Sequence, residues 1–325
     1  MKAWVYERYG SPEVLELREL PKPVPGGHEV LVRVRAASVN AADWRTMRAD
    51  PVLVRLFNGL WRPKKITVLG ADIAGTVEAI GPKVREFKPG DAVFGDVFAS
   101  HMGGFAEYKC AREDELVAKP VNVSFEEAAA VPLAALAALH GVRDVARVQA
   151  GQKVLIHGAS GGVGSYALQL AKHFGAEVTA LCSGRNVERA RALGADHVID
   201  YTKEDFVSGG ARFDAIVAVN GSRSIFHYRR ALLPRGRYAM IGGGVSQLFQ
   251  ALLLGPWLSR GGAQRFIPVS SKPNRADLLF LKGLFEAGHL KPVIDCRYPF
   301  TEVPDAIRYV EQGHARGKVI IAISN

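Results

Sequence analysis

The chain has 325 residues and a formal net charge of +10, with 48% hydrophobic and 23% charged residues. That length predicts roughly two domains, and the composition excludes a disordered chain, a collagen-like repeat and a disulfide scaffold. The three cysteines, Cys110, Cys182 and Cys296, are too few and too scattered for a zinc cluster or a stapled secreted module. The N-terminal segment reaches Glu7 before any apolar run forms, which is not typical of a signal peptide. We therefore predict a cytoplasmic protein in a reducing compartment.

The first 122 residues have the pattern of strands separated by Pro and Gly. Apolar residues alternate with Arg over Val30–Ala36, which is typical of a half-buried strand. Further strands are predicted at Ile73–Ile80, Ala92–Phe94 and Phe105–Cys110, and Asn40–Leu56 is the more helical part. This segment therefore predicts a β-rich lobe, either all-β or α+β.

The pattern changes near residue 122. Ser124 and Glu127 form a capping-box signature before an Ala-rich helix that runs towards Arg147. Strands and helices then alternate: strand Lys153–His157, helix Gly162–Phe174, strand Glu177–Leu181, helix Val187–Leu193, strand Val198–Ile199, strand Ala215–Val219, helix Ser224–Leu233 and strand Arg237–Ile241. This alternation predicts a doubly wound parallel sheet. After Phe266 the pattern is mixed again, with a helix near Ala276–Ala287 and a final strand at Lys318–Ile323.

A glycine-rich turn joins the first strand of that sheet to its helix. Gly158, Gly161 and Gly164 stand three residues apart, with Ser160, Gly162 and Val163 between them. The first glycine permits a tight turn, the middle ones let the backbone approach a pyrophosphate, and the last allows close packing of strand and helix. The helix N-terminus then offers free N–H groups to the phosphates. This combination predicts dinucleotide binding.

The end of the next strand indicates which dinucleotide binds. A site for NAD usually has a carboxylate there for the ribose 2′-OH, but Glu177–Leu181 leads into Ser183 and Arg185. A hydroxyl and a guanidinium suit a 2′-phosphate, which predicts NADPH; the alternative is that Arg185 is a solvated charge at a helix start. Tyr201 is a candidate to flank the adenine.

Two later strands also end in candidate cofactor contacts. Asn220 follows one strand, and Gly242 and Gly243 follow the next. Because ligands of open α/β sheets bind at the carboxyl ends of strands, we expect these residues to face the nicotinamide half.

Several motifs carry a family resemblance. They are Ala37–Asn40, Leu69–Gly75, Phe87–Gly95, Gly104–Tyr108, Gly158–Gly164 and Leu193–Asp196. In this order they resemble the medium-chain dehydrogenase/reductase superfamily in its zinc-independent quinone-oxidoreductase branch, especially the reticulon-interacting mitochondrial and chloroplast-envelope homologues. The resemblance implies an α/β protein with a GroES-like catalytic domain at 1–122, a Rossmann domain that binds NADP at 123–265, and a segment at 266–325 that completes the catalytic domain. It also implies a homodimer.

The zinc-dependent branch of that superfamily has different residues at its metal site. It carries a Cys where this chain has Asn40, and a His-Glu pair where this chain has Ala71 and Asp72. His101 and His140 are interpreted as ordinary surface or helix histidines. We therefore predict no metal, because about four suitable ligands are not assembled.

Without a metal, hydride transfer depends on positioning and on hydrogen bonds to the oxygen that gains charge. Asn40 is the first candidate for orienting substrate or nicotinamide, and a turn-capping role is the alternative. Trp44 and Met47 would share a helix face with Asn40 and line either an aromatic pocket or the core. Asp43 is interpreted as a solvated or capping carboxylate. By resemblance Lys318 contacts the cofactor, and a surface lysine is the alternative.

These observations predict an NADPH-dependent, zinc-independent oxidoreductase acting on quinones or similar α,β-unsaturated carbonyls. An enone or alkenal double-bond reductase is the alternative within enzymes. A nucleotide-binding regulatory or structural protein with little turnover is the alternative from another class, because no catalytic acid or base is identifiable.

The excess positive charge has a local source. From Ala215 to Ala276 there is no Asp or Glu, and the basic residues are Arg223, Arg229, Arg230, Arg235, Arg237, Arg260, Arg265, Lys272 and Arg275. The apolar run Leu248–Leu258 lies within this stretch. It predicts a pocket cover or dimer contact beside an anionic cofactor, or a peripheral contact with an anionic membrane. Nucleic acid is not expected as a partner, because no recognition motif is present.

Overall fold

The computed structural model describes residues 1–260 and 263–323. The strands are β1 (Lys2–Val5), β2 (Glu16–Glu19), β3 (Glu29–Val39), β4 (Asp72–Ile80), β5 (Ala92–Asp96), β6 (Tyr108–Arg112), β7 (Leu116–Ala118), β8 (Lys153–His157), β9 (Glu177–Cys182), β10 (His197–Asp200), β11 (Phe213–Ala218), β12 (Leu232–Met240), β13 (Arg265–Pro268), β14 (Ile294–Pro299) and β15 (Lys318–Ala322). The α-helices are α1 (Ala41–Arg48), α2 (Val54–Asn58), α3 (Phe125–Ala129), α4 (Pro132–Leu139), α5 (Gly162–His173), α6 (Val187–Ala192), α7 (Ile225–Ala231), α8 (Val245–Phe249), α9 (Gly255–Arg260), α10 (Arg275–Glu286) and α11 (Val303–Glu311). Within the described residues, none of these helices has the length and apolarity that a bilayer crossing needs.

The chain forms two compact units. The first consists of Met1–Leu133, Pro273–Ala287 and the segment from Pro292 to the C-terminus, and the second of Ala134–Lys272 and Gly288–Lys291. The chain therefore leaves the first unit after Leu133 and returns to it at Pro273, and only the short segment Gly288–Lys291 belongs again to the second.

The first unit is built on a mostly antiparallel sheet. Its strand order is β14-β15-β3-β4-β5-β7, with β6 also paired to β3. The eleven residues of β3 are the centre of this sheet, and their alternate side chains enter a core cluster that includes Val30, Val32 and Val34. Strand β15 arrives from the C-terminal part of the chain and pairs antiparallel with β3, so Val319 stands opposite Val39. The β-rich lobe predicted from the sequence is confirmed.

The helical segment predicted at Asn40–Leu56 is two helices, α1 and α2. Helix α1 ends where Ala49 adopts a left-handed conformation, with φ of 54°. Pro51 follows, and a proline cannot donate the backbone hydrogen bond that a continuing helix requires. The apolar spacing of the sequence does not reveal this interruption.

The second unit is built on a parallel sheet. Its strand order is β10-β9-β8-β11-β12-β13, and every pairing is parallel. Counted from β8, this is the order 3-2-1-4-5-6 of dinucleotide-binding folds, in which the crevice between the first and fourth strands receives the ligand. The doubly wound parallel sheet predicted from the sequence is confirmed, and the predicted capping box of Ser124 and Glu127 is also present at α3.

The apolar run Leu248–Leu258 is helical throughout. It covers the end of α8, a π-helical turn at Gln250–Leu254 and part of α9. Ala251 and Leu258 are buried in the second unit. The large apolar side chains of Phe249, Leu252, Leu253 and Trp257 are mostly exposed. Residues 261–262 of the basic stretch lie outside the described residues.

Candidate functional site

The glycine loop lies between β8 and α5. Gly158 has φ of 85°, a conformation that favours glycine. A Cβ on Gly164 would lie 2.0 Å from the Gly158 carbonyl oxygen, so only glycine permits this close packing of strand and helix. Gly161 is the N-cap of the twelve-residue α5, and the nearest atom to a Cβ there would be 3.7 Å away. The loop is thus tightly closed at its base and open at the helix N-terminus.

The predicted contacts of the nicotinamide half lie at the ends of β11 and β12. A Cβ on Gly158 would be 3.2 Å from the backbone nitrogen of Asn220, which places these two residues side by side at the switch point of the sheet. Gly221 donates a backbone hydrogen bond to Gly242 at 3.2 Å, and Gly221 also bridges to Gly243. The structure therefore brings Gly158, Asn220, Gly242 and Gly243 to one edge of the sheet.

A polar turn follows β9. Ser183 and Asn186 are joined by a hydrogen bond of 3.0 Å from Asn186 Nδ2 to the Ser183 hydroxyl, and Arg185 is exposed between them. Asn186 Oδ1 is buried without a hydrogen-bond partner. Tyr201 follows the adjacent strand, and its backbone N–H donates to Cys182 at 3.1 Å. Ser183, Arg185 and Tyr201 therefore share one end of the sheet.

Asp200 was not predicted as a site residue. It ends β10, and its Oδ1 accepts hydrogen bonds from the Thr202 backbone at 3.0 Å and from the Thr202 hydroxyl at 2.7 Å. The hydrogen bond from the Thr202 side chain is the main reason that the pKa of Asp200 is lowered. A Cβ on Gly184 would lie 2.5 Å from Asp200 Oδ2. The Asp200 carboxylate therefore stabilises the turn at Thr202 and lies against the turn at Gly184.

These features fit a nicotinamide dinucleotide. The space beside Gly161, called here the glycine cradle, is open because no Cβ occupies it. The N-terminus of α5 offers backbone N–H groups that have no partner within the helix. The buried Asn186 Oδ1 has no hydrogen-bond partner and can still accept one. The residues that would hold the group are those of the loop from Gly158 to Gly164 and of the turn at Ser183 and Arg185.

A buried polar cluster surrounds Asn40 in the first unit. Asn40 Nδ2 donates to Asp72 Oδ2 at 2.9 Å and to the Ser38 carbonyl at 3.3 Å. Its Oδ1 accepts from Lys318 Nζ at 2.5 Å. Both hydrogens of the amide are therefore committed inside the cluster, and only the oxygen keeps acceptor capacity.

Lys318 is not the surface lysine that was one alternative. It is only 3% exposed, and its ammonium lies 3.4 Å from Asp72 Oδ2. Burial lowers the pKa of Lys318, and the negative charge of Asp72 opposes that shift. Asp72 is fully buried and also accepts from the Ser38 hydroxyl at 2.5 Å and from the Leu133 backbone at 2.7 Å. A charged pair with this many hydrogen bonds can be held away from water.

Two further carboxyl groups belong to this part of the first unit. Asp43 is fully buried, so its interpretation as solvated is wrong, whereas the capping interpretation is right. It accepts from the backbone N–H groups of Asn40 at 2.7 Å and Gly70 at 2.8 Å. Burial raises the pKa of Asp43 to about 7 and that of Asp96 to about 8.

Trp44 and Met47 have different surroundings. Met47 is fully buried in the core cluster of the first unit, which rules out a pocket-lining role. Trp44 is half-buried against the same cluster, and the Arg45 guanidinium lies 5.1 Å from the centre of its ring. Of the two, only Trp44 keeps a surface that a ligand can touch.

The donor set around Asn40 does not suit zinc. A tetrahedral zinc site uses thiolate, imidazole or carboxylate ligands, but the groups that meet here are an amide, one carboxylate and the ammonium of Lys318. Of the two histidines considered earlier, His101 is exposed, whereas His140 is buried and pairs with Ser271 at 2.9 Å. His101 therefore has the expected surface position, and His140 lies in a helical segment, as the other part of that interpretation expected.

Comparisons with known proteins agree with this architecture. Family models described as alcohol dehydrogenase GroES-like domain and zinc-binding dehydrogenase match residues 26–121 and 193–321. The chain is 34% identical to the chloroplast envelope quinone oxidoreductase homolog of Arabidopsis thaliana, over 99% of this chain and 98% of that one. It is 33% identical to the NADPH-dependent alkenal/one oxidoreductase, chloroplastic, of the same plant, over 99% of this chain and 79% of the relative.

A mitochondrial relative and a solved structure have sequence identities to this chain in the same range. The chain is 34% identical to the NAD(P)H oxidoreductase RTN4IP1, mitochondrial, of Bos taurus, over 99% of this chain and 89% of the relative. The structure of the quinone oxidoreductase from Coxiella burnetii superposes with a TM-score of 0.88 and 32% identity, covering 100% of this chain and 99% of that one.

The names of these relatives correct one prediction. They assign the plant and animal proteins to chloroplasts and mitochondria. The cytoplasmic location predicted from the N-terminal segment and the few cysteines is contradicted by this finding. Cysteine content cannot separate these compartments, because the argument from it distinguishes only oxidising from reducing surroundings.

Proposed function

Because the chain belongs to the medium-chain dehydrogenase/reductase superfamily, in its zinc-independent quinone-oxidoreductase branch, we propose that it transfers a hydride from NADPH to quinones or related α,β-unsaturated carbonyls. The observation that carries the proposal is the open glycine cradle at the switch point of a 3-2-1-4-5-6 sheet, in a chain related to reductases over 99% of its length. The enzyme uses a nicotinamide cofactor, which supplies the hydride when bound.

The role of the chain's own residues is to bind and orient the cofactor. The Gly158–Gly164 loop accommodates a pyrophosphate against the N-terminus of α5. Asn220, Gly242 and Gly243 lie at neighbouring strand ends and have small or polar surfaces suited to the nicotinamide half. Ordering both ends of the cofactor in this way lowers the entropy cost of bringing it to a substrate.

The preference for NADPH rests on the turn after β9. Ser183 and Arg185 offer a hydroxyl and an exposed guanidinium, and no carboxylate stands at this strand end. Asp200 is the nearest candidate, but Thr202 occupies its Oδ1. Asp200 is thus less available to accept from a ribose 2′-OH, whereas Arg185 can bind a phosphate with charge assistance.

Asn40 has a narrower role than the sequence indicates. Its Nδ2 hydrogens are taken by Asp72 and Ser38, so it is not a donor to the oxygen of a quinone. Its Oδ1 retains a second acceptor position. We propose that Lys318 fixes the Asn40 amide so that its Oδ1 stays available as an acceptor. Trp44 stays a candidate for contact with an aromatic substrate.

Two reactions fit this arrangement. A quinone that gains a hydride and a proton becomes a hydroquinone, whereas an enone gains the hydride at its β-carbon and the proton at its α-carbon. The chloroplast envelope quinone oxidoreductase homolog is named for the first reaction, and the NADPH-dependent alkenal/one oxidoreductase is named for the second. A regulatory protein without turnover is disfavoured, because the chain is related to named oxidoreductases over nearly its whole length.

The test is a panel of soluble quinones, enones and alkenals, assayed by NADPH consumption and by mass analysis of the products. Hydroquinone formation would support quinone reduction, and a saturated ketone or aldehyde would support the alternative. Tight NADPH binding by fluorescence with no product from any member of the panel would contradict both.

We propose further that the protein is a homodimer. Strand β13 is at the edge of its sheet and pairs only with β12 among the described residues. An open edge and the exposed side chains Phe249, Leu253 and Trp257 are features that a second copy could cover. Light scattering on purified protein gives the mass directly, and a monomer would contradict the proposal.

A further inference from the structure

A second apolar surface lies in the first unit, in the segment that follows α1. It consists of the segment Val52–Lys65, called here the Val52–Lys65 surface. Its large apolar side chains are exposed to the following fractions: Val52 72%, Leu53 59%, Leu56 69%, Phe57 73%, Leu60 54% and Trp61 86%. Soluble proteins rarely expose so many large apolar groups within one short segment, so this patch indicates an interaction site.

The backbone beneath these side chains is firmly held. The buried Asn58 accepts from the Ile66 backbone at 2.7 Å and from the Lys65 backbone at 3.2 Å, and its Nδ2 donates to the Tyr6 hydroxyl at 3.0 Å. The Tyr9 hydroxyl donates to the Gly59 carbonyl at 2.7 Å. The apolar side chains therefore project from a segment that comprises α2 and the turn after it and that is anchored by the buried Asn58.

The same surface is strongly basic. Residues 51–65 contain no Asp or Glu, and Arg62, Lys64 and Lys65 are all exposed. The pKa of Glu7 is lowered first by its hydrogen bond with Arg18 and to a smaller extent by the charge of Arg62. Glu7 is held by Arg18 at 2.8 Å, so it does not neutralise this surface.

We propose that the Val52–Lys65 surface docks peripherally on an anionic lipid bilayer. Trp and Phe are favoured at the interface between headgroups and acyl chains, with Leu inserted beside them. Lys and Arg in the same segment are attracted by the negative surface potential of anionic lipids. A second copy of the chain would place like charges against each other, which disfavours self-association through this surface.

The α8–α9 region is a weaker candidate for the same contact. Phe249, Leu253 and Trp257 are exposed there, but residues 245–260 include one cation, Arg260. The other eight basic residues counted in the sequence of Ala215–Ala276 lie outside α8 and α9 themselves. Charge complementarity therefore favours the Val52–Lys65 surface.

Co-sedimentation with lipid vesicles tests the proposal without any quinone or cofactor, so its outcome is independent of the proposed function. The probe is phosphatidylcholine vesicles with and without phosphatidylglycerol, at ~0.15 M salt. We expect binding only to the vesicles with phosphatidylglycerol. We also expect that Phe57→Ser with Trp61→Ser, and separately Arg62→Glu with Lys64→Glu, each weaken binding by about tenfold or more.

Two control variants carry the same types of substitution at positions outside the Val52–Lys65 surface. Val24→Ser with Val121→Ser removes apolar groups that are 86% and 101% exposed outside the surface. Arg229→Glu with Arg230→Glu makes the same change of net charge in the basic stretch. Both controls should bind vesicles within about twofold of the unmodified chain.

The other outcomes overturn the proposal. These are no binding to either vesicle, equal binding to both, or a loss of binding only in the Arg229/Arg230 control. A change of oligomeric state in the Phe57/Trp61 variant by light scattering would show instead that the surface contacts a second copy. Vesicle-induced blue-shifted fluorescence that disappears in Trp61→Phe would locate the contact at this residue among the four Trp of the chain.

Discussion

Lys318 donates a hydrogen bond from its buried ammonium to Oδ1 of Asn40 at 2.5 Å. The lysine comes from β15 and the asparagine from the end of β3, strands that lie antiparallel and next to each other. The contact fixes which end of the Asn40 amide faces Asp72 and which end remains an acceptor. It also places a positive charge beside Asn40, the position at which the zinc-dependent branch carries a Cys by the resemblance.

Removing the ammonium should strongly destabilise the first unit. Lys318→Met leaves the Asp72 carboxylate buried without its cation, which costs about 3–5 kcal/mol of unfolding free energy. Lys318→Met combined with Asp72→Asn should recover most of that loss, because no unpaired charge then remains.

Urea unfolding of the single and double variants measures these values. Lys282→Met is the control, because Lys282 pairs with Glu286 at the surface of α10 and its loss should cost no more than about 0.5 kcal/mol. Equal destabilisation by Lys318→Met and Lys282→Met would contradict the role assigned to the buried pair.

Arg185→Ala should change cofactor preference. Loss of a charge-assisted hydrogen bond to a 2′-phosphate should raise the KM for NADPH by about 10–100-fold. The KM for NADH should stay within about twofold, because NADH has no phosphate at that position.

Steady-state kinetics with both cofactors provides the comparison. Arg191→Ala removes an equally charged side chain that pairs with Glu188 in the same part of the chain, and it should leave both constants unchanged. If Arg185→Ala raised the KM for NADPH and the KM for NADH equally, Arg185 would not be the residue that recognises the 2′-phosphate.

Two glycines of the loop should differ in their effects. Gly164→Ala places a Cβ 2.0 Å from the Gly158 carbonyl oxygen, so it should destabilise the fold. Gly161→Ala has no contact nearer than 3.7 Å and should keep the fold while weakening NADPH binding, because its methyl group fills the cradle.

Thermal unfolding and a fluorescence titration with NADPH separate these effects. Gly209→Ala is the control, since no heavy atom lies within 4 Å of its added Cβ. Unchanged NADPH affinity in Gly161→Ala would contradict the placement of the pyrophosphate.

His157 should make stability depend on pH. It is buried at the end of β8 and bonded to the Tyr228 hydroxyl at 2.7 Å, and burial lowers its pKa from 6.5 to about 4. Between those values the unfolded chain binds a proton that the folded chain does not. The free energy of unfolding therefore falls as the pH decreases from 6.5 towards 4, by up to about 3 kcal/mol.

The difference between the unmodified chain and His157→Gln isolates this contribution. Asp43 and Asp96 have raised pKa values and act in the opposite direction, but they are present in both proteins. The difference in unfolding free energy between the two proteins should change with pH over this range. A constant difference across the range would contradict the buried neutral imidazole.

The nucleotide-binding half was predictable because its signals are local. The turn from Gly158 to Gly164 lies directly between a strand and a helix in sequence, and each glycine has a conformational or packing reason that the motif itself states. Alternating strands and helices then allow few arrangements other than a doubly wound parallel sheet.

The polar cluster was not predictable in the same way. Lys318 is 278 residues from Asn40 in sequence, and no local pattern links them. The available signal was a lysine at the start of the apolar strand β15, where a surface position is the usual expectation. Asp200 was missed for a different reason: it belongs to the strand after the one whose end is normally inspected for a carboxylate.

The most direct test of the central claim is the rate of NADPH oxidation with a soluble quinone, measured on the same preparation before and after treatment with a zinc chelator, and repeated with NADH. We predict turnover with NADPH that exceeds turnover with NADH and is unchanged by the chelator, because the groups that meet around Asn40 are an amide, a carboxylate and an ammonium rather than a set of zinc ligands. Loss of activity on chelation, or faster turnover with NADH, would contradict the account.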